Sequence, residues 1–263
     1  MTSEPVIPER MPLPEGAPPS PRPWGFWATL GLAVAVMAVQ FFISAAVAVV
    51  FVVVVLATRP RAGAEDIVKH LASNGLYLML AFLASAPVCS ALVLLFAWLR
   101  RRQCPLREYL GLRFPPAWQA AVWVLSALVL LGAAEAINYL VRGPVTGKFM
   151  VETYRTSVFP LLLAFTFVLA APLFEELLFR GFVLEGIRRS LAGPEAAILI
   201  SSALWSLLHL QYGWDGILLV FLFGILLGAA RLRTGSVGVC FLMHAAYNLV
   251  CMAQTAVKAG NPV

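Results

Sequence analysis

Seven apolar runs divide the chain, at about 24–57, 76–99, 117–141, 158–181, 196–210, 216–230 and 237–257. A membrane-spanning helix needs about 20 such residues. Of the 263 residues, 61% are hydrophobic and 12% charged, where a soluble domain carries about 25% charged residues. One compact core cannot bury that much apolar surface, so most of it must face lipid. The fold expected is all-α: a polytopic transmembrane helix bundle of about seven spans. The fifth and sixth runs are short, which leaves six or eight open. The first exceeds one span and must tilt, protrude or break near Gln40. No internal repeat is evident, which argues against an inverted-repeat transporter.

The flanking segments fix the organisation. Residues 1–23 include "SEPVIPERMPLPEGAPPSPRP", too polar and proline-rich to fold, and are expected to be a disordered tail. This is not a signal peptide, because the proline-dense region is too long and the run after it far exceeds an h-region. Residues 24–157 hold the N-terminal transmembrane helices, 158–257 a polar-marked core and 258–263 a short C-terminal tail. Lys and Arg number eleven in one set of alternate loops and seven in the other, which places the N-terminus in the cytoplasm. The formal net charge of +6 therefore reflects topology and not nucleic-acid binding. Cys89, Cys104, Cys240 and Cys251 show no paired spacing and read as small apolar residues.

An ionisable group at mid-bilayer costs at least about 2.5 kcal/mol and normally faces a partner or a cavity. Glu175, Glu176, Arg180, His209 and His244 are such groups, and the neutral Asn248 lies beside the last. Glu176 and Arg180 are four apart with the acid first, the favourable order for a helical ion pair. Glu175, about 100° around the helix, is left free as a proton acceptor. Ser202, Trp205, Ser206 and His209 share one helix face, and so do His244 and Asn248. At 1.5 Å per residue, Glu175 lies about 22 Å and His209 about 21 Å from the loop between their helices. His244 and Asn248 lie about 14 and 20 Å past Gly235. Residues from three helices thus reach one level, as an active site requires. Glu135 belongs near an interface and His70 in a polar loop; neither joins the site.

"EELLFR" (175–180), "WSLLH" (205–209) and "HAAYN" (244–248) resemble, in order, the EExxxR, FxxxH and HxxxN motifs of the CPBP intramembrane proteases. That group includes the type II CAAX prenyl endopeptidases and the bacterial Abi or bacteriocin-immunity-like proteins. The resemblance covers about 158–257. It implies an intramembrane endopeptidase of a bacterial plasma membrane, acting on a membrane-embedded or lipidated, CAAX-like substrate. It matches Glu175 to the water-activating glutamate, His209, His244 and Asn248 to the other polar residues, and Glu176 and Arg180 to a supporting pair. Trp205 stands where the family has Phe; an aromatic is kept, so altered cavity shape is expected rather than lost chemistry.

Two mechanisms stay open. Glu175 deprotonates water while His209, His244 and Asn248 hold it and polarise the carbonyl, with no cofactor required. Alternatively His209, His244 and a carboxylate bind zinc, which lowers the pKa of its water. Two other classes compete: a catalytically silent immunity or interaction protein, and a proton-coupled transporter.

Overall fold

The computed structural model describes residues 24–58, 63–99, 104–142 and 147–260. The proline-rich tail, Arg100 to Arg102 and the last three residues lie outside them. Every regular element among the described residues is helical. The order is α1 (Phe26–Thr58), α2 (Ala64–Leu71), α3 (Gly75–Leu99), α4 (Leu106–Tyr109), α5 (Ala117–Arg142) and α6 (Lys148–Arg155). Then follow α7 (Pro160–Arg188), α8 (Gly193–Ser206), α9 (Gly213–Thr234) and α10 (Val237–Gly260).

Among the described residues six stretches are long and apolar enough to cross a membrane, and the fifth is the 42-residue run Gly193–Thr234. That run doubles back at Gly213, whose φ of 75° is costly for any side chain but glycine's. A Cβ on Gly224 would lie 2.8 Å from Ser202 Cβ, and one on Gly228 3.1 Å from Ile198 Cγ2. α8 and α9 are therefore an antiparallel hairpin with backbones in near contact, and the seven expected runs are all helical. α1 is unbroken at Gln40; its 33 residues span about 50 Å, so it tilts or protrudes.

α7 continues seven residues past the expected end at Gly181, which leaves Glu175 near the middle of its length. It is not a uniform α-helix. It opens to π-type i→i−5 bonding at Thr166–Ala170 and again at Leu177–Val183. Pro172 has no N–H to offer the carbonyl of Val168, so the α-helical register fails just before it. Such openings rotate the helix face and recur at functional positions. Depths reckoned at a constant 1.5 Å per residue are only approximate along α7.

α7 sits at the centre of the bundle. Its Phe174, Leu178, Phe182, Val183, Leu184 and Ile187 are almost fully buried. Large residues of α1, α5 and α9 face outward, among them Phe41, Phe42, Leu125 and Leu218. An apolar exterior around a partly polar centre suits lipid as the solvent. All four cysteines are free, and three are buried.

Candidate active site

Glu176 and Arg180, both fully buried, form the ion pair, with Nη1 donating to Oε1 at 3.1 Å. Their proximity follows from i,i+4 spacing even though the helix opens between them. The same Oε1 accepts a second hydrogen bond at 2.8 Å from Nδ1 of His244 on α10. Glu176 Oε2 and Arg180 Nε and Nη2 are buried with no hydrogen-bond partner among the described residues. Arg180 also lies over the Trp205 ring, its Cζ 4.2 Å from the centroid, where the ring's negative face attracts the cation.

Glu175 is only partly buried and has no ion-pair partner among the described residues. It is not free, contrary to the sequence expectation: the indole Nε1–H of Trp205 donates to its Oε2 at 2.7 Å. Phe at position 205 could not make that bond. Trp205 therefore adds a hydrogen-bond donor to the acid as well as shaping the space beside it.

Trp205, buried to 2% exposure, connects the three helices. Its ring centroid lies 5.0 Å from that of His209, 5.2 Å from that of His244 and 6.1 Å from that of Phe223, all inclined or edge-on. His209 is in none of the α-helical geometry its motif suggests. α8 ends at Ser206, a 3₁₀ segment follows, and His209 itself adopts φ −109°, ψ 33°. Its Nδ1 meets the Trp205 carbonyl at 3.0 Å, and its ring stacks on Tyr212 with centroids 5.9 Å apart.

The tautomers follow from these partners. A backbone carbonyl only accepts, so His209 Nδ1 carries the proton. A carboxylate likewise only accepts, so His244 Nδ1 is the donor to Glu176. In the neutral rings both Nε2 atoms remain as acceptors. Asn248 plays a different part: its Nδ2 donates to the Phe167 carbonyl at 2.8 Å. That carbonyl lies in the first π-type opening of α7, so Asn248 ties α10 to the irregular turn two helical turns before Glu175.

No group of three or more His, Cys, Asp or Glu side chains able to hold a metal ion occurs among the described residues. A catalytic zinc takes three protein ligands. Glu176 Oε1 is engaged by both Arg180 and the Nδ1 of His244. Glu135 is exposed on α5 and His70 is exposed on α2, both outside the cluster. Tyr212 and the Phe167 carbonyl were not legible as parts of it.

Residues 157–250 match the family model for type II CAAX prenyl endopeptidase, Rce1-like. The matched stretch contains all seven residues of the cluster. No curated protein and no solved structure matches the chain.

Proposed function

We propose, from the relationship of residues 157–250 to the CAAX protease/CPBP family, that this multi-pass membrane protein is an intramembrane endopeptidase whose water is activated by Glu175. The observation that carries the reading is the junction at Trp205. It joins the acid of the first motif to the imidazoles of the second and third, three segments far apart in sequence.

Glu175 takes a proton from a water, and the resulting hydroxide attacks the scissile carbonyl carbon. The carbonyl oxygen becomes an oxyanion, and donors placed at it lower the barrier. The Nε2 atoms of His209 and His244 serve this site: neutral, each accepts a hydrogen bond from the water; protonated, each donates to the oxyanion. Collapse of the tetrahedral intermediate breaks the C–N bond, and the proton held by Glu175 passes to the leaving amine. Glu176 and Arg180 hold His244 in the donating tautomer.

A site in the middle of α7, within an apolar bundle, favours a substrate delivered from the bilayer: a helix end or a lipidated, CAAX-like tail. The test is cleavage of a membrane-substrate library in proteoliposomes by the native chain and by Glu175→Gln. Loss of a general base lowers the rate by about 10²–10⁴-fold; equal cleavage by the two proteins overturns the mechanism.

A further inference from the structure

A second concentration of charge lies at the other end of α7. A cavity of about 760 Å³ opens between the α4 segment, the α7–α8 turn and the α9–α10 turn. Five arginines line it: Arg107, Arg113, Arg188, Arg189 and Arg231. Only two carboxylates, Glu108 and Glu185, face them, which leaves three positive charges in excess. Glu185, 1% exposed, serves three guanidiniums at once. It pairs with Arg188 and Arg189 at 2.6 Å each and lies 3.6 Å from Arg231. Glu108 reaches Arg189 alone, at 3.3 Å.

Arg107 and Arg113 commit only Nε, to the carbonyls of Leu112 and Gly235. Among the described residues their η amino groups have no partner. The walls are shaped around these side chains. Gly111 and Gly235 have φ of 67° and 65°. A Cβ on either would lie 2.6 Å from the guanidinium carbon of Arg231 or Arg113 respectively. Gly111 O accepts from Val237 N at 2.9 Å, Ser236 Oγ donates to the Arg113 carbonyl, and Arg231 Nε donates to Arg180 O at 3.1 Å. The pocket is therefore built before any ligand arrives, which limits the ordering cost of binding.

Its position suggests the ligand. The connections around it end or begin apolar helices at Leu99, Ala117, Arg188, Gly193, Thr234 and Val237, so it lies at one membrane interface. Guanidiniums bind phosphate oxygens through paired N–H groups, and basic pockets between membrane helices bind anionic headgroups. We propose that this pocket binds a phosphate-bearing anion, either the headgroup phosphate of an anionic phospholipid or free phosphate.

The test uses the full chain in nanodiscs of phosphatidylcholine, with and without phosphatidylglycerol, and separately with added inorganic phosphate. Arg107→Gln/Arg113→Gln removes two exposed guanidiniums outside the catalytic cluster, and Arg107→Lys/Arg113→Lys keeps their charge without the fork. The native protein should retain phosphatidylglycerol in native mass spectrometry and melt at a higher temperature with it. The Gln pair should lose at least about tenfold in affinity, with its melting temperature in pure phosphatidylcholine unchanged, and the Lys pair should fall between. If the Gln pair melts early in phosphatidylcholine, the Lys pair carries the comparison. Displacement of the lipid by inorganic phosphate identifies the headgroup phosphate as the recognised group. Stabilisation by inorganic phosphate without lipid retention assigns the site to free phosphate. If neither probe stabilises the native protein, or both variants respond as it does, the proposal is overturned.

Discussion

Trp205 donates its indole N–H to Glu175 at 2.7 Å while its ring face carries the Arg180 guanidinium 4.2 Å above the centroid. One side chain thus touches the acid and the cation that would otherwise compete for each other. The acid stays hydrogen-bonded without being neutralised, and the cation stays on Glu176.

Replacing Trp205 by Phe keeps the aromatic face and removes the donor. A hydrogen bond to a charged group contributes about 1.5–3 kcal/mol, so kcat should fall at least about tenfold with KM little changed. Trp205→Ala should in addition lower stability by about 3–5 kcal/mol through the cavity it leaves. Steady-state kinetics and thermal unfolding in detergent separate the two effects.

The two histidines should respond differently. His209 is partly exposed and held by a backbone carbonyl of its own segment, so His209→Ala should abolish cleavage with a small change in melting temperature. His244 is 4% exposed and bonded to Glu176. His244→Ala removes one of the two hydrogen bonds to Glu176 Oε1 and leaves a cavity in the core, so activity and stability should both fall. Equal stability losses for the two variants would contradict this geometry.

Breaking one partner of a buried ion pair costs about 3–5 kcal/mol. Arg180→Leu should show that loss, and Glu176→Gln/Arg180→Leu should recover part of it because the uncompensated charge is gone. Neither variant should regain cleavage, since the Glu176 carboxylate also orients His244. Chemical denaturation in detergent and the cleavage assay check both statements.

With Glu175 as the base, and with no group of three metal-ligating side chains among the described residues, chelators should leave cleavage intact. Stoichiometric zinc that depends on His209 and His244 in elemental analysis would refute this.

Gly224 packs against Ser202 one helical turn before Trp205. A Cβ 2.8 Å from its neighbour has to push the hairpin apart, so Gly224→Val should destabilise by about 1–3 kcal/mol. It should also reduce cleavage, by displacing the α8 turn that carries Trp205.

What could be read from the chain itself was whatever depends on near neighbours or on bulk polarity. The apolar runs became helices, and the i,i+4 spacing of Glu176 and Arg180 gave their pair. The bond from Trp205 to Glu175 spans thirty positions and depends on how α8 meets α7, which no periodicity encodes. The 3₁₀ turn at His209 was equally hidden: "WSLLHL" has uninterrupted helical spacing, and the hairpin behind it imposes the break. Pro172 did carry a signal for the irregular turn of α7. That turn holds the Phe167 carbonyl bonded to Asn248, a residue expected to face a substrate.

The hairpin at Gly213 bears on how the protein is made. The 14 residues of α8 reach only about 21 Å, short of the roughly 30 Å hydrocarbon layer. They press directly on the backbone of α9. α8 is therefore expected to settle in lipid together with α9, as one helical hairpin. A nascent chain stalled at Ser206 would still lack His209, together with the neighbour that lets α8 settle in the bilayer.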